Sequence, residues 1–354
     1  MNAIKIVGVG SYIPEMIKKN EDFLKNKFFN QDETAFDADP EVIIKKFKAI
    51  TGIEERRYVD DDLRTSDIAT FAAEKAIKNA GIDPETLDYI IVAHNFGDVS
   101  HKKQQGDTVP SLASRVKEKL QIDNPGCVGY DLLFGCPGWI EGCIHSLAFM
   151  KAGMAKRCLV IGAETLSRVV DPNDRDSMIY ADGAGATIFE HQPDSKGGIL
   201  SHKTATYAKT EANYIYFDKS FSPDREDDRA YIKMYGRKIY NFALSKVPEA
   251  MKACLDESGK SISDLKKIFI HQANEKMDEA IVQRFYKLYK METPKDIMPM
   301  SINKLGNSSV ATIPTLYDMF LNGDFEHESL NPGDTIMFAS VGAGMNINAI
   351  VYEI

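Results

Sequence analysis

The 354-residue chain carries the same run of signals twice. Residues 76–92, AIKNAGIDPETLDYIIV, and residues 253–270, ACLDESGKSISDLKKIFI, each read as an amphipathic helix ending at a glycine, Gly81 or Gly259. A leucine follows six residues later in both, Leu87 or Leu265, and then a short apolar strand. A second pair is GCPGWIEGCIHSLAFMKAG (135–153) and GNSSVATIPTLYDMFLNG (306–323), each opening on glycine, running as a helix and closing on glycine. A third is the strand pair RCLVIGAE (157–164) and DTIMFASVG (334–342). The three pairs keep one order at offsets of about 171 to 178 residues. A fixed period with the order kept is the mark of a repeated structural unit. Strands alternating with helices predict α/β layers, and the nearly all-apolar strands predict sheets covered on both faces. The chain therefore reads as two duplicated α/β halves, 1–195 and 196–354.

Composition narrows what such a fold does. The net charge is −9, with no basic block, which argues against binding a nucleic-acid backbone. The opening MNAIKIVGVGSYIPE is apolar for too short a stretch to be a signal peptide and reads as a strand. No apolar run approaches the length of a membrane span, and a cytoplasmic protein is expected. The five cysteines, at 127, 136, 143, 158 and 254, are odd in number and form no CxxC, which predicts neither a disulfide framework nor a zinc site. The histidines at 94, 101, 145, 191, 202 and 327 show no metal-ligand spacing; His94 is the one nearest the repeat position of His271. The stretch 217–231, FDKSFSPDREDDRAY, reads as a loop, either plain surface or cover for a site.

Duplicated halves bring equivalent helix starts together. The first half places Cys136 there, between Gly135 and Pro137; the second places Asn307 and Ser308. Just after the strand KKIFI comes HQAN, with His271 and Asn274. Strand ends and helix starts are where α/β folds gather ligands. A thiol attacks a thioester as thiolate, and a helix N-terminus is expected to lower its pKa. An imidazole and a carboxamide can stabilise an oxyanion or enolate by donating hydrogen bonds, and the backbone N–H groups of Cys136 and of Ala343 in SVGAGMN (340–346) can form an oxyanion hole. The spacing alone leaves the alternative open: a lone cysteine in an apolar run is more often packing, and a lone histidine after a strand is more often structural.

Read together, the motifs carry a resemblance. VGVGSYIPE (7–15), TGIEERRYV (51–59), IGAETLSRVVDPNDRDSMIYADGAGATIFE (161–190), MYGRKIYNFAL (234–244), HQAN (271–274), GNSS (306–309) and GDTIMFASVGAGMN (333–346) resemble, in order, the β-ketoacyl-acyl-carrier-protein synthase III family of the thiolase superfamily. The resemblance implies a thiolase-like fold with a layered α-β-α-β-α core, a homodimer, and no metal or redox cofactor. It also implies a Cys136–His271–Asn307 triad. The cysteine takes an acyl group from a coenzyme A or carrier-protein thioester. His271 and Asn307 then assist decarboxylation of a malonyl thioester, and the carbanion attacks the acyl-cysteine. Asn274 matches a position near the pantetheine arm; Arg175 and Lys276 match basic positions that contact phosphate or an acyl-carrier protein.

The departures from the family pattern point to a specialised relative. The nucleophile motif is Gly-Cys-Pro-Gly, Lys46 and Ile50 replace the adenine clamp, Asp176 replaces a glycine, and Ala343 breaks a glycine triplet. The segment 20–37, NEDFLKNKFFNQDETAFD, is longer than usual. These favour acyl chains other than acetyl, in fatty-acid or in specialised lipid or polyketide assembly. Two alternatives stand beside the decarboxylative reading. One is non-decarboxylative or resorcinol-type joining of two chains; Val109 occupies the position where a partner's carboxylate is expected, with Asp98 and Asp107 as nearby substitutes. The other is a non-catalytic synthase-like subunit of a heterodimer, against which the retained Cys136, His271 and Asn307 argue. SVGAGMN holds no second cysteine, which argues against a thiolase.

Overall fold

The computed structural model describes residues 3–102, 105–225, 228–326 and 328–354; His327 lies outside them. Two sheets form its frame. The first contains β1 (Ala3–Tyr12), β2 (Tyr89–Ala93), β3 (Val128–Leu132), β4 (Arg157–Thr165) and β5 (Asp182–Gln192), in the order β1-β5-β4-β2-β3. The second contains β6 (Gly198–Thr206), β9 (Leu265–Ile270), β10 (Thr335–Gly342) and β11 (Asn346–Glu353), in the order β6-β11-β10-β9. The pairing directions repeat. β1–β5 and β5–β4 are antiparallel and β4–β2 parallel; β6–β11 and β11–β10 are antiparallel and β10–β9 parallel. Between Gln192 and Gly198 the chain passes from one sheet to the other.

Helices pack as layers against these sheets. Outside the first lie α2 (Thr65–Ala80) and α3 (Leu112–Lys119), which bury Ile68, Ala72, Leu112 and Val116 against Ile90, Leu159 and Ile188. Outside the second lie α5 (Gly236–Ser258) and α6 (Glu275–Leu288), which bury Val247, Met251, Ile281 and Phe285 against Ile268, Met337 and Ala349. Between the sheets run α4 (Gly138–Lys151) and α7 (Thr312–Leu321). A helix enclosed between two sheets must be apolar on most of its surface. Trp139, Ile140, Cys143 and Leu147 of α4 accordingly join Leu316, Tyr317 and Phe320 of α7 and Phe269 and Phe338 of the second sheet in one cluster. The result is the expected α-β-α-β-α stack.

Two additions depart from the bare repeat. α1 (Pro40–Thr51) and the segment before it pack Phe23, Phe28, Ile43 and Phe47 onto Leu166, Met178 and Ile302, beside the middle of the molecule. The stretch 217–231 is a loop over its described middle, with strand only at its two ends: β7 (Ile215–Lys219) pairs antiparallel with β8 (Ala230–Met234). Its base is fixed by Lys233, fully buried, which bonds Asp171 and Asp174 while Asp171 also accepts from Ser220 and the backbone of Phe221. A buried cation needs such paired carboxylates to be tolerated, so Lys233 with Asp171 and Asp174 anchors the base of this hairpin.

Candidate active site

The starts of α4 and α7 meet the ends of β9 and β10 at the centre of the molecule, around a cavity of about 630 Å³. Cys136, His271 and Asn307 all line it, with Asn274, Arg175 and Ala343.

Cys136 is placed by backbone packing across the two halves. Gly135 sits at φ +66°, and a β-carbon there would lie 2.6 Å from the backbone nitrogen of Ala343. On the facing side, a β-carbon on Gly342 would lie 2.5 Å from the backbone nitrogen of Cys136. Contacts this short leave no room for a side chain at either position, so the end of β10 lies against the nucleophile turn, with the Ala343 backbone beside Gly135 and Gly342 beside the Cys136 backbone. The other four cysteines, 127, 143, 158 and 254, are buried in the core clusters, and only Cys136 is partly exposed.

The thiol is not held as thiolate. Burial pushes its pKa up to about 11, Glu164 adds to the rise, and a hydrogen bond from Ser309 Oγ to Sγ at 3.2 Å offsets only part. This direction is opposite to the lowering expected of a helix start; α4 begins at Gly138, after Pro137, and desolvation of the sulfur is the largest cause of the rise.

His271 follows β9, its N–H donating to Ala339 at 2.9 Å. The next residue locks the turn: Gln272 donates to Pro299 and accepts from Ser301, both buried. The His271 ring is buried and its Nδ1 has no partner among the described residues. Burial holds its pKa down at about 4, with the Ser309 backbone opposing weakly, so the ring is neutral at neutral pH. Asn307 is pinned by backbone bonds to Ile179 and Ala181 of the first half, and its Oδ1 accepts from Ser309 N–H at 2.8 Å. With the oxygen committed, the amide NH₂ is the end left to donate. Asn274 caps α6 through Oδ1, which accepts from Met277 N–H at 3.0 Å.

The entrance is built differently from the expectation. Arg175 reaches the cavity wall, but its guanidinium pairs with Asp176 and stacks on Phe36 at 5.2 Å. Its charge is thus matched within the chain by the neighbouring Asp176. Lys276 is exposed on the first turn of α6 and is not part of the wall. Lys46 and Ile50 of α1 do line the cavity, as does Arg237, which the sequence reading did not single out. Phe36, from the long segment before α1, and Phe217, from the hairpin, form part of the cover, joined nearby by Gln31 bonding the hydroxyls of Tyr216 and Tyr235. Neither could be located from local pattern, because both act through contacts between distant segments.

Within this chain Asp98 and Asp107 are both engaged with Arg115. Asp98 accepts from Ser66 N–H, Ser66 Oγ and Arg115, while Asp107 pairs with Arg115 and accepts from Val109 N–H. His94 bonds Asp131 through Nε2 and accepts from Gly97 N–H through Nδ1, a role that shapes the turn after β2.

Comparison with known proteins gives this geometry its context. Residues 130–208 match the family described as 3-oxoacyl-[acyl-carrier-protein] synthase III, and residues 255–354 match the C-terminal part of the same family. The β-ketoacyl-[acyl-carrier-protein] synthase III of Clostridium beijerinckii is 32% identical over 100% of both chains. That of Staphylococcus aureus is 31% identical over 99% of this chain and 98% of its own. The crystal structure of 3-oxoacyl-[acyl-carrier-protein] synthase III from Aquifex aeolicus superposes with a TM-score of 0.80 at 28% identity, covering 99% of this chain and 100% of that one.

Proposed function

Because the chain belongs to the 3-oxoacyl-[acyl-carrier-protein] synthase III family and is a condensing acyltransferase, we propose that it works through Cys136, His271 and Asn307 in two half-reactions. In the first, Cys136 sulfur attacks an acyl thioester of coenzyme A or an acyl-carrier protein. The new acyl–sulfur bond forms, the donor's carbon–sulfur bond breaks, and the thiol proton ends on the departing thiol. A thiol held near 11 loses that proton only as attack proceeds, so deprotonation is coupled to acyl transfer. The backbone N–H groups of Cys136 and Ala343 receive the oxyanion.

In the second half-reaction a malonyl-type thioester loses CO₂, and the electron pair of the broken carbon–carbon bond passes into the enolate. The neutral His271 ring and the Asn307 amide donate hydrogen bonds to the enolate oxygen. A preorganised donor is worth more in a dry site, where charge is poorly screened. The enolate carbon then attacks the acyl carbonyl and Cys136 leaves as thiol after taking up a proton. The observation that carries this reading is the packing of Gly342 against Cys136, which sets the end of β10 against the nucleophile turn, in one cavity with His271 and Asn307. The engagement of Asp98 and Asp107 elsewhere supports decarboxylation over α-proton removal as the source of the carbanion.

The apolar cover supplied by Phe36, Phe47, Phe217, Ile232 and Met234 suits an acyl chain larger than acetyl, for fatty-acid or specialised lipid or polyketide assembly. No cofactor enters either half-reaction. A homodimer is supported by β3, an edge strand of the first sheet that begins at exposed Val128 and is followed by exposed Leu133. Such an edge is a template for pairing with a second copy. No described helix is long and apolar enough to cross a membrane; the five free cysteines support a reducing, cytoplasmic setting. The test of the two-step reading is a split assay on the purified enzyme. Acyl-enzyme formation is followed by intact mass, and CO₂ release from malonyl thioester is followed separately. CO₂ release that needs His271 and Asn307 while acylation does not supports it; a condensation product formed without CO₂ release contradicts it.

A further inference from the structure

Beside Cys136 lies a line of largely enclosed polar groups that the two half-reactions do not use. Ser309 Oγ–H donates to Cys136 Sγ at 3.2 Å. The same Ser309 oxygen accepts from Asn95 Nδ2 at 3.2 Å. Asn95 Nδ2 also donates to Glu164 Oε1, and the backbone of Asn95 bonds the same carboxyl. Ser309 and Glu164 are buried, and the three residues come from the turn before α7, the turn after β2 and the end of β4. A contact assembled from three separate elements is not a by-product of local chain geometry.

The donor and acceptor inventory accommodates that direction along the line. A carboxamide nitrogen only donates, and a serine hydroxyl has a single proton. Once Asn95 donates to the Ser309 oxygen, the hydroxyl proton is left to point at the sulfur. Both Asn95 amide protons are then used, one on Ser309 and one on Glu164.

We propose that Asn95 and Glu164 are positioning residues that hold the Ser309 hydroxyl as a fixed hydrogen-bond donor to the Cys136 sulfur. The donation matters most when the sulfur is anionic, on attack and again when it leaves, because hydrogen bonds to charged acceptors are the stronger ones. The proposal rests on Cys136 as the nucleophile, but its test needs no acyl substrate, so it fails independently of the condensing reading.

The test is the alkylation rate of Cys136 by iodoacetamide between pH 7 and 10, with the modified peptide mapped, in full-length protein. Ser309→Ala should slow alkylation at fixed pH by about tenfold, the scale of one hydrogen bond to a charged group. Asn95→Ala should slow it in the same direction. Asn95→Asp, which has the same shape but cannot donate, should do likewise and serves if the alanine variant folds poorly. At pH 7 Glu164→Gln, which keeps an oxygen for Asn95, should stay near wild type, whereas Glu164→Ala should not. The double variant Asn95→Ala/Ser309→Ala should be no slower than Ser309→Ala alone, because Asn95 acts through Ser309. A merely structural role would lower melting temperature without moving the alkylation rate. Asn95 variants that alkylate at the wild-type rate, or a double variant whose losses add, would overturn the proposal.

Discussion

Gly342 and Cys136 touch through their backbones: a β-carbon on Gly342 would stand 2.5 Å from Cys136 nitrogen and 2.9 Å from its Cβ. Gly342 is extended, at φ −165°, so the requirement is space and not backbone conformation. Gly342→Ala should therefore push the end of β10 off the nucleophile turn. Displacements of that kind, of about 1 Å, cost on the order of 10²-fold in rate. Both acylation and condensation should fall, since the amide pair serves both. A Gly342→Ala enzyme that acylates at the wild-type rate would show that the two amides do not act together.

His271 and Asn307 belong to the carbanion step in this account. Changing either to Ala should leave acylation of Cys136 nearly intact and slow CO₂ release by on the order of 10²-fold, the loss seen on removing one oxyanion donor. Rapid-quench measurement of the two half-reactions checks this. Equal loss in both would assign the residues a general structural role.

The His271 ring also predicts a pH dependence of stability. Its pKa lies near 4 in the folded protein, below the 6.5 of an exposed imidazole, so the unfolded chain binds the proton more tightly. The stability tied to the neutral ring is present above pH 6.5 and is lost as pH falls from 6.5 through 4, by on the order of 3 kcal/mol. Urea unfolding at pH 7 and pH 4.5 should show wild type losing more stability than His271→Asn over that interval. Equal losses in the two proteins would contradict a buried neutral ring.

Charge at the entrance should act through residues that are not already paired. Arg175 is matched by Asp176 and Phe36, whereas Lys46 and Arg237 make no ion pair among the described residues. Lys46→Ala/Arg237→Ala should raise KM for coenzyme A or carrier-protein thioesters several-fold and flatten its salt dependence, because exposed charges are screened over about 10 Å at ordinary ionic strength. Arg175→Ala should do less. The reverse ranking would place the docking charge at Arg175.

Much of this arrangement was legible in the chain itself. The paired offsets give the two sheets because equivalent segments must bury equivalent faces. GCPG, HQAN and GNSS stand out because turns at strand ends restrict residue type. Other features were hidden. The thiol pKa depends on how completely the sulfur is desolvated, and only the assembled cavity sets that. Asn95 follows His94 in an unremarked turn and becomes a partner of Ser309 only when segments 214 residues apart meet. The pairing of Arg175 with Asp176 and its stacking on Phe36 likewise appear only in the folded chain.

Whether Cys136 carries the acyl group is read by intact mass followed by peptide mapping after mixing the enzyme with an acyl thioester at neutral pH. One acyl adduct per chain is expected, on Cys136, and none in Cys136→Ala. An adduct on Cys127, Cys143, Cys158 or Cys254, or condensation that survives in Cys136→Ala, would contradict that assignment.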